Sequence, residues 1–239
     1  DLVFPHHENE IAQSEGATGH PFVKYWMHNG FLNIDNEKMS KSLGNFFTVR
    51  DILKEYDAED VRMFMLSAQY RSPLNFSRDS IDQAHASLTR LYTARDNLLF
   101  MQQSALEGDP ADADRAFMAE VDDCRKRFED AMDDDLNTAE AMGALFDLVY
   151  AANTSVTTDT SKKAVQHALD ALYQLTDILG LLAKKPGELP EDVQALADQR
   201  VQARQQKNWA QSDALRAQLN EMGYTVEDTA AGQKIVKTC

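Results

Sequence analysis

The most constraining feature of this 239-residue sequence is the helical periodicity of its apolar residues, which continues almost without a break from residue 48 onwards. Its clearest stretch has apolar side chains three or four positions apart: Val165, Ala168, Leu169, Leu172, Leu175, Leu179 and Leu182. This spacing lines one face of a helix, and Gly180 and Pro186 favour its end. Similar stretches predict helices over residues 80–101 and 114–132, and another beginning at Asn137 or Thr138. The sequence therefore predicts a helical bundle.

The two ends of the chain are mixed in character. Residues 6–14 predict a short helix, residues 23–28 and 31–34 predict strands, and Asn29-Gly30 predicts a tight turn between those strands. After a linker over residues 184–190, the last 50 residues predict two helices, a stop at Gly223 and a hairpin of residues 224–226 with 234–236. The bundle is therefore expected to lie between two smaller mixed α/β parts.

The charge distribution limits the possible partners. The formal net charge is −15; residues 111–160 hold 13 acidic and 4 basic side chains, whereas residues 201–239 hold 4 acidic and 5 basic ones. A protein that binds nucleic acid over its whole surface would be basic, whereas a protein that binds RNA by one end remains compatible with this charge. No apolar stretch approaches the roughly 18 residues of a membrane span. The distant Cys124 and Cys239 favour a reducing cytoplasm over a disulfide scaffold.

The most specific motif is the run Lys38-Met39-Ser40-Lys41-Ser42. Two lysines three positions apart in a Ser- and Gly-rich loop can place ammonium groups on a polyphosphate, where they stabilise charge that develops during nucleotidyl transfer. A generic pair of lysines at this spacing is more often a solvated basic loop. The five residues, however, match the signature loop of class I aminoacyl-tRNA synthetases.

The second motif is the run His6-His7-Glu8-Asn9-Glu10. On a helix His6 and Glu10 share one face, which suits two ligands of one zinc ion. The simpler alternative is that these side chains are hydrogen-bonded surface groups. Cys124, in a helical pattern, and Cys239, at the terminus, are poor candidates for the remaining ligands, so the sequence alone does not complete a zinc site.

Together these segments resemble the cysteinyl-tRNA synthetase family, and the resemblance continues through the motifs MDDDLNTAEA and NWAQSDALRAQLNEMGYTVEDT. It covers essentially the whole chain but corresponds only to the C-terminal half of such an enzyme. The His-Ile-Gly-His type motif of class I enzymes is absent from these 239 residues. We therefore expect the gene to encode the whole enzyme and this segment to be inactive alone.

The resemblance implies a set of roles for residues of the N-terminal region. His6 and Glu10 match zinc ligands, and the family's two cysteine ligands are expected in the absent half. Lys41 matches the lysine that contacts ATP, with Lys38 and Ser40 in support and Mg²⁺ accompanying the ATP. Asp1 lies where the family has an acidic residue near the adenylate.

The resemblance also implies contacts between the C-terminal tail and the tRNA anticodon, made by Arg204, Trp209, Asp213 and Asp228. Trp209 would stack on a base and the aspartates would accept hydrogen bonds from a guanine edge. The alternative is that Trp209 packs between the two tail helices. Arg71 is a possible phosphate contact, and residues 133–135 are interpreted as a solvated segment between helices.

These observations predict the end of a Rossmann-like catalytic domain over residues 1–47, a helical linker over 48–80, a helical anticodon-binding bundle over 81–183 and a small α/β tail over 184–239. The expected function is that of a monomeric, cytoplasmic cysteine–tRNA ligase acting on L-cysteine, ATP and tRNA(Cys). One alternative is a non-catalytic RNA-binding fragment or paralogue. The other, a cysteine ligase of mycothiol synthesis, has no use for an anticodon-binding tail.

Overall fold

The computed structural model describes residues 2–35, 37–38, 48–185, 189–229 and 232–237, without the side chains of Lys38, Glu191 and Lys237. A π-helical turn at Val3–His7 comes first. The helices that follow are α1 (Glu8–Thr18), α2 (Val49–Ile52), α3 (Ala58–Leu66), α4 (Arg78–Ser104), α5 (Asp112–Asp133), α6 (Thr138–Ser155), α7 (Lys162–Leu179), α8 (Glu191–Gln205) and α9 (Trp209–Glu221). The strands are β1 (Leu32–Ile34), β2 (Glu37–Lys38), β3 (Leu74–Phe76), β4 (Tyr224–Thr229) and β5 (Gly232–Lys237).

Helices α4 to α7 form the predicted bundle. The apolar stripe of α7 is buried from Val165 to Leu179. The helix begins where the Ser161 side chain accepts a hydrogen bond from the Ala164 amide, and it ends at Gly180, whose φ of 66° suits a residue without a side chain. The largest buried side chains of the other three helices meet this stripe: Ile81, Leu91, Val121, Phe128, Leu145 and Leu148. Burial of this apolar surface is the main stabilising contribution to the fold.

A small sheet connects the N-terminal region to the bundle. Strand β1 pairs in parallel with β3 and antiparallel with β2. The predicted strand over residues 23–28 is wrong, because that segment is an exposed loop. The predicted hairpin turn at Asn29-Gly30 is wrong as well: the Gly30 amide donates to the Tyr70 carbonyl at 2.7 Å, and a Cβ at position 30 would overlap the Ser72 carbonyl. Gly30 is required for this close approach between two backbone segments, not for a turn.

A partly buried polar network connects α3, α4 and the segment that follows α7. The Tyr92 hydroxyl donates to Glu59 at 2.6 Å, and the amides of Ala183 and Lys184 donate to Glu59 and to the Tyr92 oxygen, respectively. Arg95, which is buried, donates to the Lys184 carbonyl at 2.6 Å. These bonds fix the direction in which the chain leaves the bundle.

The tail folds as two helices and a hairpin, as predicted. Helices α8 and α9 pack together, and β4 pairs with β5 in antiparallel register from Tyr224 opposite Lys237 to Thr229 opposite Gly232. The hairpin is longer than predicted. Val193, Leu219 and Val226 form a small apolar core of their own, and Lys234 donates to the Asn97 side chain of α4.

Candidate functional site

The first candidate site is the donor cluster, defined here as His6, His7 and Glu10. Helix α1 begins at Glu8 and not at His6 as predicted, because residues 3–7 form a π-helical turn in place of the first α-helical turn. The π-helical turn nevertheless brings His6 Nε2 to 3.7 Å from Glu10 Oε1. One ligand atom from each of the three residues lies within 4.8 Å of the other two. The sequence reasoning identified His6 and Glu10 but missed His7.

The cluster is chemically suited to zinc. Zinc binds imidazole nitrogens and carboxylate oxygens, and a tetrahedral ion with bonds of about 2.1 Å keeps its ligand atoms about 3.4 Å apart. The His6–Glu10 separation of 3.7 Å is close to that spacing. Cys124 is buried in α5, and burial raises the pKa of its thiol, so this residue is unsuited to completing the ligand set.

An aromatic group supports the donor cluster. His7 Nδ1 shares a hydrogen bond of 2.9 Å with His28 Nε2, and the His7 ring lies 4.9 Å from the Trp26 ring. The Trp26 and His28 rings are parallel, with centroids 6.1 Å apart. These contacts restrain the orientation of His7, as partners behind metal-binding histidines usually do. Four of the six histidines of the sequence lie in its first 28 residues, and this concentration is a sequence signal that could have pointed to this group.

A cleft of about 540 Å³ opens beside these rings. Its lining residues are Trp26, His28, Asn29, Gly30, Phe31, Arg71 and Pro73. The combination of flat aromatic surface with one guanidinium suits a planar ligand that carries negative charge.

Arg71 connects this cleft to the bundle through Asp135. The guanidinium lies 3.0 Å from the Asp135 carboxylate, and its Nε donates to the Tyr70 hydroxyl. Tyr70 and Gln69 also donate to the Asp135 carboxylate. Asp135 has a φ of 57°, a left-handed conformation that Asp tolerates better than most residues. Residues 133–135 are exposed at the junction of α5 and α6, as predicted, but Asp135 also binds these distant partners, which no local sequence signal indicated.

The predicted ATP-binding residues are largely outside the described residues. This applies to Asp1, Ser40 and Lys41; Lys38 is described only by its backbone, which pairs with Asn33 in the sheet. Their roles remain predictions.

The described chain resumes at Thr48, which caps the N-terminus of α2. The Thr48 side chain accepts from the Asp51 amide, and the Asp51 carboxylate accepts from the Thr48 amide. A hydrogen bond from Lys54, followed by those from Thr48, lowers the pKa of Asp51 to about 2.

The second candidate site lies in the tail. Arg204 Nη1 donates to Asp228 Oδ2 at 2.9 Å, and the Arg204 guanidinium lies 5.9 Å from the centre of the Trp209 ring. Asp213 is exposed on α9. Arg200, which the sequence reasoning missed, also binds Asp228, and its hydrogen bonds are the main cause of the lowered pKa of that carboxyl.

Trp209 does not pack between the tail helices. Its side chain is 58% exposed at the first position of α9, so the packing interpretation is wrong. The structure thus brings Arg204, Trp209 and Asp228 into one group, and the assignment of this group to tRNA remains a prediction.

Three family models match successive parts of the chain. They are described as "tRNA synthetases class I (C) catalytic domain" over residues 1–86, "DALR domain" over residues 127–183 and "Cysteinyl-tRNA ligase anticodon binding domain" over residues 187–235. A cysteine–tRNA ligase of Lachnospira eligens is 53% identical over 97% of this chain. The chain belongs to the cysteine–tRNA ligase family.

Other members of the family show the same extent of similarity. The enzymes of Caldicellulosiruptor saccharolyticus and Clostridioides difficile are 49% and 47% identical, each over 98% of this chain. The matched region is 49% of the Lachnospira protein and 50% of each of the other two. The chain therefore spans about half the length of the curated relatives it matches.

A solved structure supports the fold. The agnB2 LeuRS of Agrobacterium radiobacter K84, crystallised in a ternary complex with tRNA and LeuAMS, matches 73% of this chain with a TM-score of 0.60 and 20% identity. The match covers 24% of that LeuRS chain. Among the described residues, no helix combines the length and apolar character that crossing a membrane requires.

Proposed function

We propose that this chain acts as the C-terminal half of a cysteine–tRNA ligase, which activates L-cysteine with ATP and transfers it to tRNA(Cys). The observation that carries the proposal is the 47–53% identity to cysteine–tRNA ligases along 97–98% of the chain. That similarity extends over both the donor cluster and the tail, so it favours an enzyme over an RNA-binding module alone. An anticodon-binding tail also argues against a ligase that joins cysteine to a sugar.

The donor cluster would provide cysteine selectivity. His6 and Glu10 would hold zinc together with two ligands from outside this chain, and His7 would be held beside them by His28 and Trp26. Zinc, when bound, would favour a thiol over a hydroxyl and so discriminate cysteine from serine. The cleft lined by Trp26, His28 and Arg71 offers a flat aromatic wall and a cation to the activated substrate.

ATP would be bound by the signature loop. Lys41, supported by Lys38 and Ser40, would stabilise the negative charge on the pyrophosphate that leaves as the adenylate forms, with Mg²⁺ on the ATP. Asp1 would lie near the adenylate. The assignments of Lys38, Ser40 and Lys41 rest on the match of residues 38–42 to the family motif, and that of Asp1 rests on its position in the family resemblance.

The tail would bind the anticodon loop. Arg204 and Trp209 provide an exposed cation and an exposed ring, and Asp213 and Asp228 provide carboxylates for base edges. The proposed division is a catalytic part over residues 1–47, a linker over 48–80, a bundle over 81–183 and this tail over 184–239. We further propose that the enzyme is a cytoplasmic monomer, as the family resemblance implies.

The test is charging of a cysteine-specific tRNA with labelled cysteine by the enzyme from the complete reading frame. Charging with cysteine and not with serine is expected, whereas the chain alone is expected to bind the tRNA without charging it. A folded complete enzyme that binds the tRNA but charges nothing would support the non-catalytic alternative.

A matched pair of lysine variants tests the signature loop within the same enzyme. Lys41→Ala should slow cysteine-dependent pyrophosphate exchange by about 100-fold or more and change tRNA affinity by less than about twofold. Lys24→Ala, which removes an exposed lysine from the loop before β1, should leave both quantities unchanged. Equal exchange rates for the Lys41 variant and the parent would remove the role assigned to this loop.

A further inference from the structure

Arg200 is a buried cation at the centre of the tail. Its side chain is 2% exposed, and its two terminal nitrogens donate to the two carboxylate oxygens of Asp228, each at 2.9 Å. This two-pronged geometry fixes the orientation of a carboxylate as well as its position. Asp228 therefore has a single orientation set from the interior of the tail.

The bonds of Arg200 reach three elements of the tail. Arg200 lies in α8, Asp228 lies in β4, and Arg200 Nη1 also donates to Gln233 of β5 at 2.8 Å. The Gln233 amide then donates to the Ala197 carbonyl of α8 at 2.7 Å. Through these hydrogen bonds Arg200 connects the β4–β5 hairpin to α8 at the position of Asp228.

Burial of the Arg200 guanidinium has a cost in stability. Within the described part of the chain, Arg200 Nε is the one buried side-chain nitrogen or oxygen without a hydrogen-bond partner. Removing a charged group from water and leaving a buried N–H unpartnered both cost free energy, and the carboxylate of Asp228 is 36% exposed. The placement of Arg200 is better explained by the geometry that it imposes on Asp228.

Asp228 also connects Arg200 to Arg204 at the surface of the tail. Asp228 Oδ2 accepts a second hydrogen bond, from Arg204 Nη1, at 2.9 Å. Arg204 lies one helical turn after Arg200 and is 40% exposed, with its guanidinium on the exposed Trp209 ring. Asp228 therefore binds both Arg200 and Arg204, which carry the same charge on one face of α8. It keeps Arg204 beside the indole of the neighbouring tryptophan.

The local charge favours an anionic ligand. Arg200 and Arg204 both donate to the Asp228 carboxylate, so two guanidinium groups bind one carboxylate. This excess of positive charge occurs in a chain whose net charge is −15. An exposed aromatic face beside an exposed cation suits an unstacked base and its phosphate.

We infer that Arg200 is a positioning residue for RNA binding by the tail: it fixes Asp228, which holds Arg204 beside Trp209, where an unpaired base of a single-stranded loop is bound. This inference rests on the proposed function, because it assumes that the tail binds the anticodon loop. Arg200 itself is buried and acts only through Asp228.

The experiment measures binding of a fluorescent RNA hairpin with the anticodon loop of a cysteine-specific tRNA to the full 239-residue chain. A hairpin with the same stem and a different loop sequence is the reference for loop-specific binding. Arg200→Met should weaken binding to the anticodon hairpin about tenfold or more. Arg216→Met, the matched control, removes another cation from the tail but leaves both arginine bonds to Asp228, and it should weaken binding less than about threefold.

A double-mutant cycle with Asp228→Asn separates action through Asp228 from a general effect on folding. In the Asp228→Asn background, Arg200→Met should weaken binding less than about twofold further. Additive effects in the cycle would overturn the inference.

Arg200→Lys is a second variant that tests the inference if Arg200→Met disturbs folding. Lysine retains the buried charge but cannot bind both oxygens in a fork, so weaker loop binding is expected at an unchanged unfolding midpoint. Wild-type affinity in this variant would overturn the inference. A parent chain that does not distinguish the two hairpins would instead contradict the proposed function of the tail.

Discussion

Helices α4 to α7 bury a continuous apolar core, whereas no side chain between residues 2 and 31 is buried. That N-terminal segment exposes large apolar side chains throughout its length, among them Phe4, Phe22, Tyr25 and Met27. It also holds the donor cluster and most of the aromatic cleft. Because stability follows buried apolar surface, the bundle stabilises the fold of this chain, while the donor cluster lies on a segment that contributes little to that stability. Candidate site residues in this segment can therefore be changed without unfolding the chain.

The strongest test of this difference is Leu172→Ala, in the centre of α7. Leu172 is fully buried, so the lost burial and the cavity should lower the free energy of unfolding by about 2–5 kcal/mol. Urea unfolding measures the loss. Ile178→Ala in the same helix is the control: its side chain is 57% exposed, and the loss should be less than about 1 kcal/mol. Equal losses would show that the buried stripe is not the source of stability.

The junction between the two regions depends on Asp135, and Asp135→Ala should lower the free energy of unfolding by about 2 kcal/mol. The change removes the bonds to Tyr70 and Arg71 and places alanine in a left-handed conformation. Asp135→Asn should lose about half as much, since asparagine tolerates that conformation. Asp134→Ala, at an exposed neighbour with negative φ, should be close to neutral in thermal unfolding. A larger loss for Asn than for Ala would contradict this account.

Tyr92 lies in the polar network that connects α3, α4 and the segment after α7, and it should make the stability of the bundle pH-dependent. Burial, and then the hydrogen bond to Glu59, raise the pKa of Tyr92 to about 12. Because the folded pKa lies above the unfolded value of about 10, the contribution is complete below pH 10 and is lost as the pH rises towards 12. The parent should lose about 1–2 kcal/mol more than Tyr92→Phe between pH 9 and pH 12, measured by urea unfolding. A parallel fall in both proteins would contradict the assignment.

The smallest effect is expected in the N-terminal segment. Phe4→Ala should change the free energy of unfolding by less than about 0.5 kcal/mol, because the ring is 78% exposed. The measurement is again urea unfolding of the same chain. A loss approaching that of Leu172→Ala would show that the segment shares in the stability of the bundle.

The bundle was predictable because its signals are local. The stripe of α7, the helices around residues 80–101 and 114–132, and the tail hairpin all follow from spacing and from caps within a few residues. In the structure α4 and α5 each begin two residues earlier than predicted, and they end three residues and one residue later, respectively. The N-terminal helix begins at Glu8 and not at His6.

The parts that could not be predicted depend on contacts between distant positions. Parallel pairing of β1 with β3 joins segments about 40 residues apart, and local turn signals at Asn29-Gly30 pointed instead to a hairpin. The hydrogen bonds from residues 69–71 to Asp135 and from Arg200 to Asp228 likewise cannot be predicted from the spacing of residues along the sequence. For the candidate sites, helical spacing gave His6 and Glu10 and the family resemblance gave Arg204 and Trp209, whereas the residues that orient them required coordinates.

The close approach at Gly30 has a consequence for how this sequence can change over generations. Any side chain at position 30 would displace the Ser72 carbonyl, and with it the segment that carries Arg71 from the cleft to Asp135. Gly16 and Gly143, by contrast, have open space where a methyl group would stand. Position 30 therefore restricts sequence drift: positions 16 and 143 can accept alanine without a clash, whereas a substitution at position 30 requires rebuilding the connection between cleft and bundle.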